Sequence, residues 1–119
     1  MKEIAIVAEI FDVVILGAGP GGYVSAIRAA QLGLKTALVE KDKKLGGTCL
    51  HRGCIPTKAL LYTAELLNHI QHASKFGITV GNPVVDWVAA QKHKQKVVDK
   101  GAAGIDFLMK KNKVTVLKG

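Results

Sequence analysis

The tightest constraint on this chain is a glycine-spaced turn, Gly17-Ala18-Gly19-Pro20-Gly21-Gly22, which fits the pattern G-x-G-x-x-G. A short β-branched apolar run, Asp12 to Leu16, leads into it. Tyr23 to Leu32 follows, with Ala, Ile and Leu placed as in a helix packed on a sheet. Gly33 stands where helices commonly end, and Lys35 to Val39 reads as a second strand. A strand, a glycine turn, a helix and another strand predict a β-α-β unit with parallel strands. The fold class expected is α/β, a Rossmann-like βαβ domain with an incomplete parallel sheet. Each glycine then has a task. Gly17 permits the tight turn, Gly19 lets a diphosphate approach the backbone, and Gly22 allows close helix–strand packing. The helix N-terminus adds free N–H groups and the positive end of a dipole.

Glu40 closes the second strand, 18 residues after Gly22. A carboxylate there can accept hydrogen bonds from an adenosine ribose and would repel a 2′-phosphate. The motif by itself does not separate NAD from FAD. Read structurally, the same residues would be a plain tight turn and a surface glutamate. Strand, spacing and acid together favour the dinucleotide.

The rest of the chain extends the α/β pattern. From Pro56 to about Lys75, Leu60, Leu61, Ala64, Leu67 and Ile70 recur at helical steps. Gly77 to Pro83 breaks the pattern. Asp86 can cap a second long helix, with Val88, Val98, Ile105 and Met109 expected along one side. Gly101 and Gly104 within it are expected to mark close backbone approach. Val114 to Leu117 reads as a third strand. The length, 119 residues, suits one domain, and 49% hydrophobic residues exclude intrinsic disorder. The longest uncharged stretch, Val13 to Ile27, is interrupted by Gly and Pro and does not read as a membrane span. Glu9 and Asp12 break the N-terminal apolar run, which does not read as a secretory signal, so a cytoplasmic protein is expected. The net charge of +8 lies largely in residues 61–119, with nine basic residues against four acidic. These basic residues are all Lys, without the Arg forks and aromatics of nucleic-acid readers, and are read as a solvated face.

Two cysteines stand in Gly46-Gly47-Thr48-Cys49-Leu50-His51-Arg52-Gly53-Cys54-Ile55-Pro56-Thr57-Lys58. Four intervening residues leave them close enough for a small disulfide ring. Such a ring stabilises by only ~2 kcal/mol on loop-entropy grounds, little for a structural staple. In a reducing cytoplasm a catalytic disulfide is the usual exception. Cys54 lies just ahead of the helix beginning near Pro56, and that dipole with Arg52 and Lys58 would favour its thiolate. Zinc competes as a reading, with His51, His69, His72 or His93 as further ligands, but the spacings match no common finger or ribbon. Two inert buried thiols are the other alternative. The residue types favour redox activity and no metal.

The glycine fingerprint, Glu40 and GGTCLHRGCIPTK together resemble the N-terminal part of the pyridine nucleotide–disulfide oxidoreductases, from about Asp12 to Gly119. The resemblance implies that the dinucleotide is FAD. Gly17, Gly19 and Gly22 would line its diphosphate, Glu40 and Lys41 its adenosine end, and Gly47 and Thr48 its other side. Lys58 would sit by the flavin ring. Cys49 and Cys54 would be the catalytic pair, Cys49 the interchange thiol and Cys54 the flavin-side thiol. Leu50 and Ile55 favour the lipoamide branch over glutathione- and mercuric-type reductases. NAD and the lipoyl group of a 2-oxo-acid dehydrogenase complex would be partners of a full-length homodimer. The alternatives are a reductase of those other types, or a nucleotide-binding redox module without turnover. His51-Arg52 and Thr57 depart from the commonest lipoamide pattern, Asn-Val and Ser, and would modulate the thiols rather than replace them. The resemblance further implies that residues 1–119 are the N-terminal part of an FAD-binding domain, the NAD and dimerisation domains being absent.

Overall fold

The computed structural model describes residues 8–119. The secretory-signal reading falls partly on residues 1–7, which lie outside the described residues. Strand β1 (Val13–Leu16) runs into helix α1 (Pro20–Gln31), which returns to β2 (Thr36–Glu40). Pro20 opens α1, where its missing N–H costs nothing. Gly33, at φ 88°, supplies the left-handed backbone just past the helix end. Two helices follow, α2 (Gly47–Arg52) and α3 (Cys54–Gln71), then a single 3₁₀ turn at Ala73–Phe76. Helix α4 (Trp87–Lys111) leads to β3 (Thr115–Lys118). Asp86 caps α4 as expected, its carboxylate accepting from the Ala89 N–H at 3.0 Å.

The three strands form one parallel sheet in the order β1-β2-β3, with Ile15 opposite Leu38 and Leu38 opposite Val116. These three side chains meet one core. Ala26 of α1, Leu45, Leu50 of α2 and the α4 stripe Val98, Ala102, Ile105 and Met109 complete it. The stripe follows four- and three-residue steps, which place its members on one helical face.

Some expectations change. Helix α2 was not anticipated, and α3 begins at Cys54 rather than near Pro56. Val88 is not on the buried stripe and is 63% exposed, because it lies about 80° round α4 from Val98. Gly101 does sit against a neighbour, since a Cβ there would come within 2.7 Å of Leu50 Cδ1. Gly104 does not, because a Cβ there would meet open space. The expected stripe of α3 is half-covered at Leu60, Leu67 and Ile70 and exposed at Leu61 and Ala64. Lys92, Lys96 and Lys100 are exposed, as a solvated face requires. Among the described residues, no helix is long and apolar enough to cross a membrane.

Candidate functional site

The site gathers at the C-terminal ends of β1 and β2, where parallel strands open toward ligands. Gly17 leaves β1 at φ 90°, its N–H donating to Val39 O at 2.7 Å, and turns the chain into α1. A Cβ on Gly22 would collide with the Gly17 carbonyl, which fixes Gly22 as the close-packing glycine. Gly19 caps α1 in extended conformation without a side-chain hydrogen bond. Open space surrounds the Cβ directions of Gly17, Gly19 and Gly21. The first N–H groups of a twelve-residue helix thus face a cradle that side chains leave clear. That arrangement fits the diphosphate of a dinucleotide.

Glu40 is almost wholly buried at the end of β2. Its Oε1 accepts the Asp42 N–H at 2.8 Å, and its Oε2 accepts the Ala18 N–H at 2.7 Å. The Asp42 N–H first, then that of Ala18, hold the carboxyl below its usual range against the opposing effect of burial. Glu40 is therefore a strut of the glycine turn as well as a candidate ribose acceptor. Two bonds leave lone pairs on both oxygens, so the roles are compatible. Lys41 follows on the surface.

The cysteine segment rests on this turn. The Gly46 N–H donates to Ala18 O at 2.8 Å. Gly47, at φ 64°, approaches Gly19 so closely that a Cβ would lie 2.7 Å from Gly19 Cα. From there α2 carries Cys49 and α3 begins with Cys54. The two cysteines form a disulfide across Gly53, with Cα atoms 4.7 Å apart. Both cysteines are thus engaged with each other. Cys49 is half-buried and Cys54 exposed. Lys58 lies four residues along α3, on the face of Cys54, and is exposed like Thr48.

The positive charge near the thiols is smaller than the sequence suggested. Arg52 is ion-paired with Asp42 at 3.1 Å, so the expected help from its guanidinium is largely offset. The helix contribution is sharper than expected, because Cys54 lies in the first turn of α3. His51 Nε2 lies 2.8 Å from Leu45 O. On the other flank Lys44 pairs with Asp99 of α4 at 3.0 Å and, with Gln95, holds the Asp99 carboxyl below its usual range.

Sequence reasoning missed Ala18, whose backbone serves Glu40 through N–H and Gly46 through C=O. Only its place between two fingerprint glycines hinted at it. It also missed Asp42 and Leu45, since a ring-to-carbonyl bond six residues apart and a side-chain pair ten residues apart leave no spacing signature.

The chain matches the family described as pyridine nucleotide-disulphide oxidoreductase over residues 11–119. It is 59% identical over 109 residues to a dihydrolipoyl dehydrogenase of Bacillus subtilis (strain 168), covering 92% of this chain and 23% of that protein. It is 53% identical to one of Chlamydia pneumoniae over 109 residues, with the same coverage. Against one of Trypanosoma brucei brucei it is 53% identical over 112 residues, again 92% and 23% of the two chains. The chain thus spans about a quarter of the length of the curated relatives it matches.

Proposed function

Because this chain belongs to the pyridine nucleotide-disulphide oxidoreductase family, we propose that it supplies the dinucleotide turn and redox disulfide of an FAD-dependent dihydrolipoyl dehydrogenase. The observation that carries the reading is the placement of the Cys49–Cys54 disulfide on α2 and α3, with α2 seated on the glycine turn through Gly46–Ala18 and Gly47–Gly19. A disulfide tied to a phosphate-binding turn brings thiol exchange beside a bound dinucleotide. The enzyme we propose acts in the cytoplasm as a homodimer, on lipoyl groups carried by a 2-oxo-acid dehydrogenase complex, with NAD⁺ as final acceptor.

In this reading the α1 N-terminus and Gly17, Gly19 and Gly22 hold the diphosphate, and Glu40 and Lys41 hold the adenosine end. Gly47, Thr48 and Lys58 border the flavin end. A thiolate of dihydrolipoyl attacks Cys49 Sγ, the Cys49–Cys54 bond breaks, and Cys54 leaves as a thiolate. The second lipoyl thiol, on losing its proton, then closes the lipoyl ring and releases Cys49. Two electrons have now passed from the lipoyl dithiol to the protein pair. FAD, when bound, supplies the hydride chemistry that carries those electrons on to NAD⁺. The first turn of α3 stabilises the Cys54 thiolate as it forms. Residue exposure ranks the two cysteines the other way round, with Cys54 the more exposed, so the division of roles rests on the family likeness.

The full-length protein should reduce NAD⁺ with dihydrolipoamide, and Cys49→Ser should abolish that activity. NADPH-dependent reduction of glutathione disulfide, with no dihydrolipoamide activity, would overturn the substrate assignment and leave the redox pair standing.

A further inference from the structure

His51 stands between the two cysteines and has no part in the exchange step. Its ring is half-buried, with Nε2 2.8 Å from Leu45 O. A carbonyl oxygen only accepts, so Nε2 carries a proton and donates it to this bond. Leu45 belongs to the buried core, and the next residue, Gly46, is bonded to the glycine turn at Ala18 O. One hydrogen bond thus joins the end of α2 to a segment that cannot move without disturbing the dinucleotide turn. Among the described residues, the other polar tie of α2 is Arg52 to Asp42, which is largely exposed and screened by solvent, so it contributes little. A six-residue helix does not hold its own shape in water.

We propose that His51 is a positioning residue for the Cys49–Cys54 couple. While the ring is closed, the covalent bond itself fixes Cys49 against Cys54. Once the ring opens, Leu50 still anchors the middle of α2 in the core, and the His51–Leu45 bond fixes its C-terminal end and keeps the Cys49 thiol within reach of Cys54. Losing it lowers the effective concentration of one thiol toward the other and shifts the couple toward the open dithiol. This rests on the reading of the pair as a redox couple.

The test uses the full-length protein with its nucleotide bound, equilibrated in mixtures of reduced and oxidised dithiothreitol. The reagent gives two electrons and two protons to the ring and becomes a cyclic disulfide, while the protein gains two thiols, counted by mass after alkylation. His51→Ala and His51→Asn should shift the equilibrium toward the dithiol by about two- to tenfold, the range expected for one net hydrogen bond. His51→Gln should stay near wild type, because the Gln amide nitrogen reaches the position of Nε2, whereas that of Asn reaches only Nδ1. If the Ala variant does not fold, the Gln and Asn variants decide alone. A Gln variant displaced as far as Asn overturns the proposal, as does an Asn variant at the wild-type equilibrium. A wild-type ring that does not reopen and reclose overturns the redox reading itself.

Discussion

Glu40 shows how one side chain can hold the fold together at the edge of a candidate ligand site. Its carboxylate bridges the Ala18 and Asp42 N–H groups, fastening the glycine turn to the end of β2. The sign of its pH dependence follows from its lowered pKa. Its stabilising contribution is complete above the unfolded value near 4.5 and is lost as pH falls through the lower folded value. The thermal midpoint should therefore decline on acidification below that value, and Glu40→Gln should flatten this part of the decline. Parallel acid limbs in melts of the two proteins would contradict the bridge. Gly47 is a residue whose identity its backbone dictates, at φ 64°. An Ala there takes on left-handed strain of ~1–2 kcal/mol and must also displace Gly19. Gly47→Ala should weaken dinucleotide retention by about tenfold or more, measured as the bound fraction after dialysis.

At the scale of elements, local pattern and long-range packing divided the information. The sequence made β1, α1 and β2 legible because the glycine fingerprint punctuates them. It also made α4 legible through its cap at Asp86 and its stripe. Helix α2 was not legible, since GTCLHR has no apolar period and is held by contacts to Ala18, Leu45 and Asp42 rather than by propensity. The candidate site was readable as residue types, cysteines and glycines at telling intervals. The bonds joining the two motifs were not. Val88 was misplaced because it lies about 80° round the helix from Val98, off the face that Val98, Ile105 and Met109 share. The two glycines of α4 give a direct check. Gly104→Ala, with open space around it, should raise stability by about 0.5–1 kcal/mol in chemical denaturation. Gly101→Ala should show little or none of that gain, because its methyl would press on Leu50 in the core. Equal gains at both positions would contradict the packing of α2 against α4.

At the scale of the whole molecule, the radius of gyration is 21.3 Å, against about 14 Å for a compact domain of this length. Helices α3 and α4 border an apolar groove of about 650 Å³, lined in part by Leu67, Ile70 and Trp87. The core is concentrated where α2 and the second half of α4 meet the sheet. The disulfide and the glycine turn both sit at that packed end and share one support. Stepwise reduction of the full-length protein, followed by absorption, tests that shared support most directly. The protein should be yellow and gain a long-wavelength band on two-electron reduction, with that response lost in Cys54→Ser. A colourless protein, or a band indifferent to Cys54, would contradict it.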